Sequence, residues 1–257
     1  MQITKPTCHQ PRQPVPTPRQ QYFRVSLFQL AQTLSTGKAT AMDGKEIQGT
    51  KNGRQNRVHL PALVDQHTGA VCAQMPVGAK TNQITQFSAP LVHFLDLKGK
   101  VTTADALHTQ TPHARYLRAR GAHYVFTVKG SHPKLQDELQ QIPRDQVPVG
   151  SRNVEMKNGR RTIRTIRTIK CVTLTTGFRF PHAAQARQIT RKSRVVKATR
   201  WRTERVHALT SLLTHLASPA DIGALIRGHR VIEHGLHWRR DVTWNEDKSQ
   251  VRQGYVP

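Results

Sequence analysis

The run Val101-Thr102-Thr103-Ala104, ending at Asp105, constrains this chain more than any other stretch. It is short, β-branched and uncharged, which suits a strand buried in a parallel sheet. Gly99-Lys100 closes the element before it, and Thr111-Pro112 opens a basic helix after it that Gly121 closes. A carboxylate at the end of such a strand stands where open α/β sheets collect functional groups. The local alternative for Asp105 is a helix N-cap.

The order of elements around this strand narrows the fold. Ala39-Thr40-Ala41-Met42 is a strand ending at Asp43, followed by Gly44-Lys45. Val58–Asp65 alternates apolar residues, although Pro61 argues against a central position. His67-Thr68-Gly69 turns the chain, and Ala70–Val77 returns as a hairpin partner. Asn82–Leu97 has helical spacing, His123–Val128 reads as a strand, and Pro133–Ile142 reads as a helix. Strands joined by short turns pair antiparallel, and strands joined through helices run parallel. The predicted class is α/β: a ribonuclease-H-like mixed sheet, with three antiparallel strands and then βαβα. Its first and fourth strands are adjacent, which brings Asp43 and Asp105 side by side. Two such carboxylates repel unless they share a cation, and oxygen ligands suit Mg²⁺ or Mn²⁺.

Charge identifies the partner. The 257 residues carry 40 Lys+Arg against 15 Asp+Glu, a formal charge of +25. Such an excess calls for a polyanion, and nucleic acid rewards dispersed cations through counterion release. The sequence contains no apolar run long enough to span a membrane and no signal-peptide pattern. Cys8, Cys72 and Cys171 fit neither a disulfide framework nor a zinc knuckle, and suit a reducing cytoplasm.

Composition divides the chain. Residues 1–21 are a proline-rich tail, and 22–38 form the end of a helical region through Tyr22–Leu34. Residues 39–145 hold the first part of the core. A basic β-rich insertion follows over 146–203, and 204–257 complete the core. Between 151 and 200 there are 14 Lys+Arg and one acid, Glu155. Arg161–Ile169 repeats an Arg-Thr-Ile triplet and, with Cys171–Thr176, suggests a strand pair. The one-signed charge favours contact with DNA over a charged edge that only blocks aggregation. Val206–Leu213 reads equally as strand or helix. Ser218-Pro219 starts a helix through Ile222, Leu225, Ile226, Ile232 and Leu236, with Glu233 at the edge of its apolar face. A zinc site on His229, Glu233, His234 and His237 is disfavoured, because Arg230 stands where the inverted zinc motif needs histidine.

Several short motifs occur in a specific joint order. They are Asp43-Gly44-Lys45, Lys80-Thr81-Asn82-Gln83-Ile84, Thr103–Gln110, Val128-Lys129-Gly130, Asn158-Gly159-Arg160 and Thr210-Ser211-Leu212. The set ends with Ile226-Arg227-Gly228-His229, Ile232-Glu233, Leu236-His237-Trp238 and Glu246-Asp247. From about Tyr22 onward the chain resembles the DDE-type insertion-sequence transposases of the H-repeat-associated branch. The resemblance implies a metal-binding triad of Asp43, Asp105 and Glu233, with Asp241 and Glu246 next in line for the third place. It implies cleavage and joining of double-stranded DNA at element ends by two-metal chemistry. It also implies DNA contacts from Lys80, Lys129, Arg160, Arg164, Arg227 and Trp238, a homo-oligomer on DNA, and a bacterial, nucleoid-associated location. Gln48, Gln83, Arg230 and His234 depart from the family pattern. The alternative left open is a DNA-binding remnant without catalysis.

Overall fold

The structure, a computed structural model, describes residues 38–48, 58–75, 95–142, 147–170 and 180–248. The tail, the Tyr22–Leu34 helix, Lys80, most of the Asn82–Leu97 helix and the Cys171–Thr176 strand lie outside the described residues.

Everything is arranged around one strand pair. β1 (Ala39–Ile47) runs parallel to β4 (Val101–Ala104), with Ala39 opposite Val101 and Met42 opposite Ala104. On the other side β1 pairs antiparallel with β2 (Val58–Asp65), which pairs antiparallel with β3 (Val71–Gln74). Beyond β4, helix α1 (Thr111–Ala119) leads into β5 (His123–Val128), parallel to β4. Helix α2 (Pro133–Gln140) leads into β6 (Val149–Lys157), β7 (Arg160–Lys170), β8 (Gln185–Val195) and β9 (Arg202–Thr210). The result is one mixed sheet of nine strands, in the order β3-β2-β1-β4-β5-β9-β8-β7-β6. No helix among the described residues is long and apolar enough to cross a membrane.

Several local expectations change. β1 does not stop at Asp43, because its antiparallel pairing with β2 continues to Ile47. Only the parallel partner stops, so Asp43 stands just past the end of the β1–β4 pairing. Pro61 lies in an inner strand after all. Its carbonyl accepts from Met75 N at 3.2 Å, on the β3 side. A strand residue directs its N–H and C=O to the same neighbour, so the missing donor falls where β3 ends and the β1 ladder stays intact. The basic region supplies three strands, and β9 joins them edge-on to β5. Asn158 and Gly159, both at positive φ (50° and 64°), make the tight β6–β7 hairpin. Val206–Thr210 belongs to β9, because its alternation fits between β5 and β8.

Alternation assigns each strand residue to a face. On one face, Met42, Leu63, Ala104, Phe126 and Leu209 form the main core with Ala114 and Leu117 of α1 and Leu139 of α2. On the other face, Ala41, Ala62 and Val64 pack on Ile232. There too, Val125, Leu212 and Ala217 pack on Ile222 of helix α3 (Pro219–Gly228). Ser218 caps α3 and exchanges hydrogen bonds with Asp221 in a capping box. The chain was expected to continue as α-helix through Leu236. It continues instead as π-helical turns over Ile232–His237 and Arg239–Thr243, a feature frequent at functional sites.

Two glycines permit this packing. A Cβ on Gly44 would collide with the imidazole of His59, and one on Gly223 would collide with Ile166 Cδ1. Gly44→Ala is expected to destabilise the fold by about 1–3 kcal/mol through overpacking. His59→Ser in the same chain should recover most of that loss in chemical denaturation. No recovery would mean that the His59 contact is not the reason for the glycine.

Candidate functional site

Asp43 leaves β1 on the face that carries Ala41, and Asp105 follows β4 on the same face by register. Asp43, Asp105 and His108 each bring a ligand atom within 4.8 Å of the others, and His108 is buried. Asp105 is not a helix cap, since Gln110 precedes α1. Its Oδ1 accepts from Leu107 N at 3.0 Å and His108 N at 3.2 Å, so it folds its own loop and turns His108 back toward itself. Thr109 Oγ1, 2.9 Å from the Asp105 carbonyl and 2.6 Å from that of Thr127, ties the loop to β5.

Imidazoles surround Asp43. His108 Nε2 is 3.9 Å from its Oδ1, and His237 Nδ1 is 3.7 Å from its Oδ2. Gly44 N donates to Asp43 Oδ1 at 2.8 Å. Thr103 Oγ1 holds His229 Nδ1 at 3.0 Å, and Gln66 Nε2 donates to the same hydroxyl at 2.7 Å. Gln66 reaches it because Gly228 has no Cβ to meet its side chain.

Burial pushes the Asp43 carboxyl up to about 7, and the charges of Asp105 and Glu233 add to this against the Gly44 N–H. Burial holds His108 down to about 4, with His113, His59 and His229 adding and Asp105 opposing. Burial also holds His237 down to about 4, helped by Arg240 and Lys45. His229 is lowered by burial as well. These imidazoles are neutral near pH 7, the form that binds metal. Two carboxylates and a neutral imidazole whose ligand atoms lie within 4.8 Å of one another fit one divalent cation.

Glu233 is exposed on the first π turn and stands outside the 4.8 Å group. Its charge nevertheless reaches Asp43, His229 and His237. The acids next in line are engaged elsewhere. Lys45 Nζ pairs with Asp241 and lies 3.2 Å from Asp247, and Arg240 holds Glu246 through two bonds of 2.6 Å. The disfavoured zinc set of His229, Glu233, His234 and His237 does not form a ligand group among the described residues.

The other residues expected at the site are dispersed. Lys129 is exposed just past β5, and its charge acts on His229. Arg227 is exposed in the last turn of α3, and Trp238 is 53% exposed. Arg160 and Arg164 lie on β7, which β5, β9 and β8 separate from β4. Arg164 Nη1 donates to Glu155 at 2.6 Å. Sequence reasoning missed His108 and the roles of His237 and His229. His108 had one signal, its place three residues after Asp105 in a loop. The two C-terminal histidines had none, because only tertiary packing brings them to β1.

Asp43 is expected to weaken the metal-free fold. The folded state keeps its proton up to about 7, whereas an unfolded chain loses it near about 4. Folding then retains protons that the unfolded state releases, so metal-free stability falls as pH rises through that window. Asp43→Asn should stabilise the metal-free protein at neutral pH by about 0.5–2 kcal/mol and flatten that fall. It should also remove the rise in melting temperature that Mn²⁺ gives the parent. Thermal melts across pH, with and without Mn²⁺, check both halves.

The sequence matches the family model described as "Transposase DDE domain" over residues 27–254. It is 29% identical over 246 residues to "Putative transposase YncI" of Escherichia coli O157:H7, covering 90% of this chain and 60% of that protein. It is 27% identical over 233 residues to "H repeat-associated putative transposase YhhI" of Escherichia coli (strain K12), covering 83% of this chain and 58% of that protein. The chain thus spans 60% or less of the length of these two relatives. Among solved structures, a piggyBac transposase synaptic complex with hairpin DNA aligns at 13% identity and TM-score 0.45, over 84% of this chain and 42% of that one. That likeness is too distant to carry weight. The family match runs through Asp43, Asp105, His108 and Glu233, and the chain belongs to the transposase DDE domain family, among its H repeat-associated members.

Proposed function

We propose that this chain is the catalytic part of a DDE transposase, built on a ribonuclease-H-like core, that cuts and joins duplex DNA at the ends of an insertion sequence. The carrying observation is that Asp43, Asp105 and His108 bring ligand atoms within 4.8 Å of one another where the parallel β1–β4 pairing ends. The sheet order β3-β2-β1-β4-β5 supports the core assignment. The formal charge of +25 supports DNA as substrate.

In this reading Asp43 and Asp105 hold a divalent ion, Mg²⁺ or Mn²⁺, with His108 as a neighbouring nitrogen donor. When bound, the ion polarises the phosphodiester and lowers the pKa of the attacking water. Water breaks the bond between phosphorus and the 3′ oxygen, leaving a 3′-hydroxyl and a 5′-phosphate. That hydroxyl then attacks a target phosphodiester, displacing its 3′ oxygen in turn. Glu233 is the third acid, carried by a π turn whose residues Ile232 and Leu236 pack on β1 and β2. Lys45 keeps that segment docked through Asp241 and Asp247. Lys80, Lys129, Arg160, Arg164, Arg227 and Trp238 are assigned to DNA contact, and the active form is a homo-oligomer on DNA.

A second reading, DNA binding without cleavage, draws on the position of Glu233 outside the 4.8 Å group. Nicking of supercoiled plasmid separates the two. With Mg²⁺ or Mn²⁺ the parent chain should nick, and Asp105→Asn should reduce nicking to background. Glu233→Gln should keep DNA affinity, or raise it slightly, while losing cleavage. A parent chain that binds plasmid but never nicks it supports the second reading.

A further inference from the structure

Strands β6 to β9 sort their charges by face. The acids of these strands, Glu155 and Glu204, fall on the face that α3 covers. There they pair with cations: Arg164 with Glu155 at 2.6 Å, and Arg191 and Arg202 with Glu204 at 3.3 and 3.0 Å. The opposite face has no acid at any position of these strands. On it Arg152, Arg167, Lys192 and Arg205 line an open concavity of about 450 Å³, beside Thr165, Thr190 and Gln188. None of the four cations has an acidic partner among the described residues. By register, Arg152, Thr165, Thr190 and Arg205 form one row across all four strands.

Edge protection does not account for this row. Charges that block aggregation belong on edge strands. β6 is the edge, yet Arg205 of the row sits on the inner strand β9, and Lys192 beside the row sits on the inner strand β8. Four cations facing one hollow repel each other unless an anion lies between them. The row crosses three strand gaps of about 4.8 Å each, about 14 Å in all, the axial rise of roughly four nucleotides in one strand. The threonine hydroxyls and the glutamine amide add neutral partners for phosphate oxygens.

Asp43 and Asp105 lie on the other face of this same sheet. Nucleic acid in the concavity is therefore a different segment from the one at the carboxylates. We propose that the acid-free face of β6–β9 docks the phosphate backbone of a second nucleic-acid segment, one that is held and not cut. This rests on the nucleic-acid reading above and adds where an uncut segment binds.

The test is the salt dependence of binding to a labelled duplex, without divalent metal so that nothing is cleaved. Arg152, Lys192 and Arg205 are exposed, so their joint replacement, R152Q/K192Q/R205Q, leaves the core untouched. A control, K157Q/R191Q/R202Q, removes the same charge from the other face. The first variant should lower the slope of log affinity against log salt by about 3, at roughly 0.9 per phosphate contact. The control should lower it by clearly less, and both should keep the Mn²⁺-dependent rise in melting temperature. Equal losses in the two variants would mean that net charge alone binds DNA, and would overturn the proposal. An unchanged slope in the first variant would overturn it too, while leaving the transposase reading intact. Loss of polyglutamate binding with duplex binding retained would assign the face to an acidic protein segment and also overturn it. A parent chain that binds no duplex at any salt would remove the nucleic-acid reading itself.

Discussion

The burial of the Asp43 carboxyl beside Asp105 sets the terms for the rest of this molecule. Two carboxylates just past the end of the β1–β4 pairing, half removed from water, do not come together for stability. Burial, to which the charges of Asp105 and Glu233 add, holds the proton of Asp43 up to about 7. The fold forces the contact through the β1–β4 pairing, and surrounding groups keep it in place. Thr40 Oγ1 and Thr102 Oγ1 meet at 3.1 Å within that pairing, and Thr103 Oγ1 donates to the Thr40 carbonyl at 3.1 Å. These short β-branched residues fix the strand ends from which the acids project.

Around the acids, cations and imidazoles are kept distinct. The charged partners of this face are committed to other acids, as with Lys45 to Asp241 and Asp247, and Arg240 to Glu246. What approaches Asp43 is neutral imidazole, from His108 and His237. A lysine or arginine there would neutralise the carboxylates permanently and exclude a metal ion. Neutral nitrogen donors leave the negative charge for a divalent cation. A related separation recurs in β6–β9, where both acids and the cations paired with them share one face and the other face carries cations and no acid.

The sheet order through β5 was legible because it rests on local signals: β-branched runs, turn residues, and the rule that helices join parallel strands. His123–Val128 and the Ser218-Pro219 helix start coincide with the sequence expectation for the same reason. What escaped the sequence depends on partners far along the chain. Pro61 argued against an inner strand, since nothing local reveals that β3 ends opposite its missing N–H. The π turns after Ile232 carry no compositional mark, so Glu233 was expected to face the aspartates directly. His108 looked like a loop residue until Asp105 was seen to fold the loop back. Asp43 and Asp105 were each placed by the strand that leads into them, which is why that pair was readable.

If Asp43, Asp105 and His108 together hold one divalent cation, crystals grown with Mn²⁺ will show it between them. Anomalous scattering is expected to show a Mn²⁺ peak in contact with both carboxylates and the His108 imidazole. A peak only at the Asp241, Glu246 and Asp247 cluster, or none at concentrations where the melting temperature has saturated, would rule out a metal site on Asp43, Asp105 and His108.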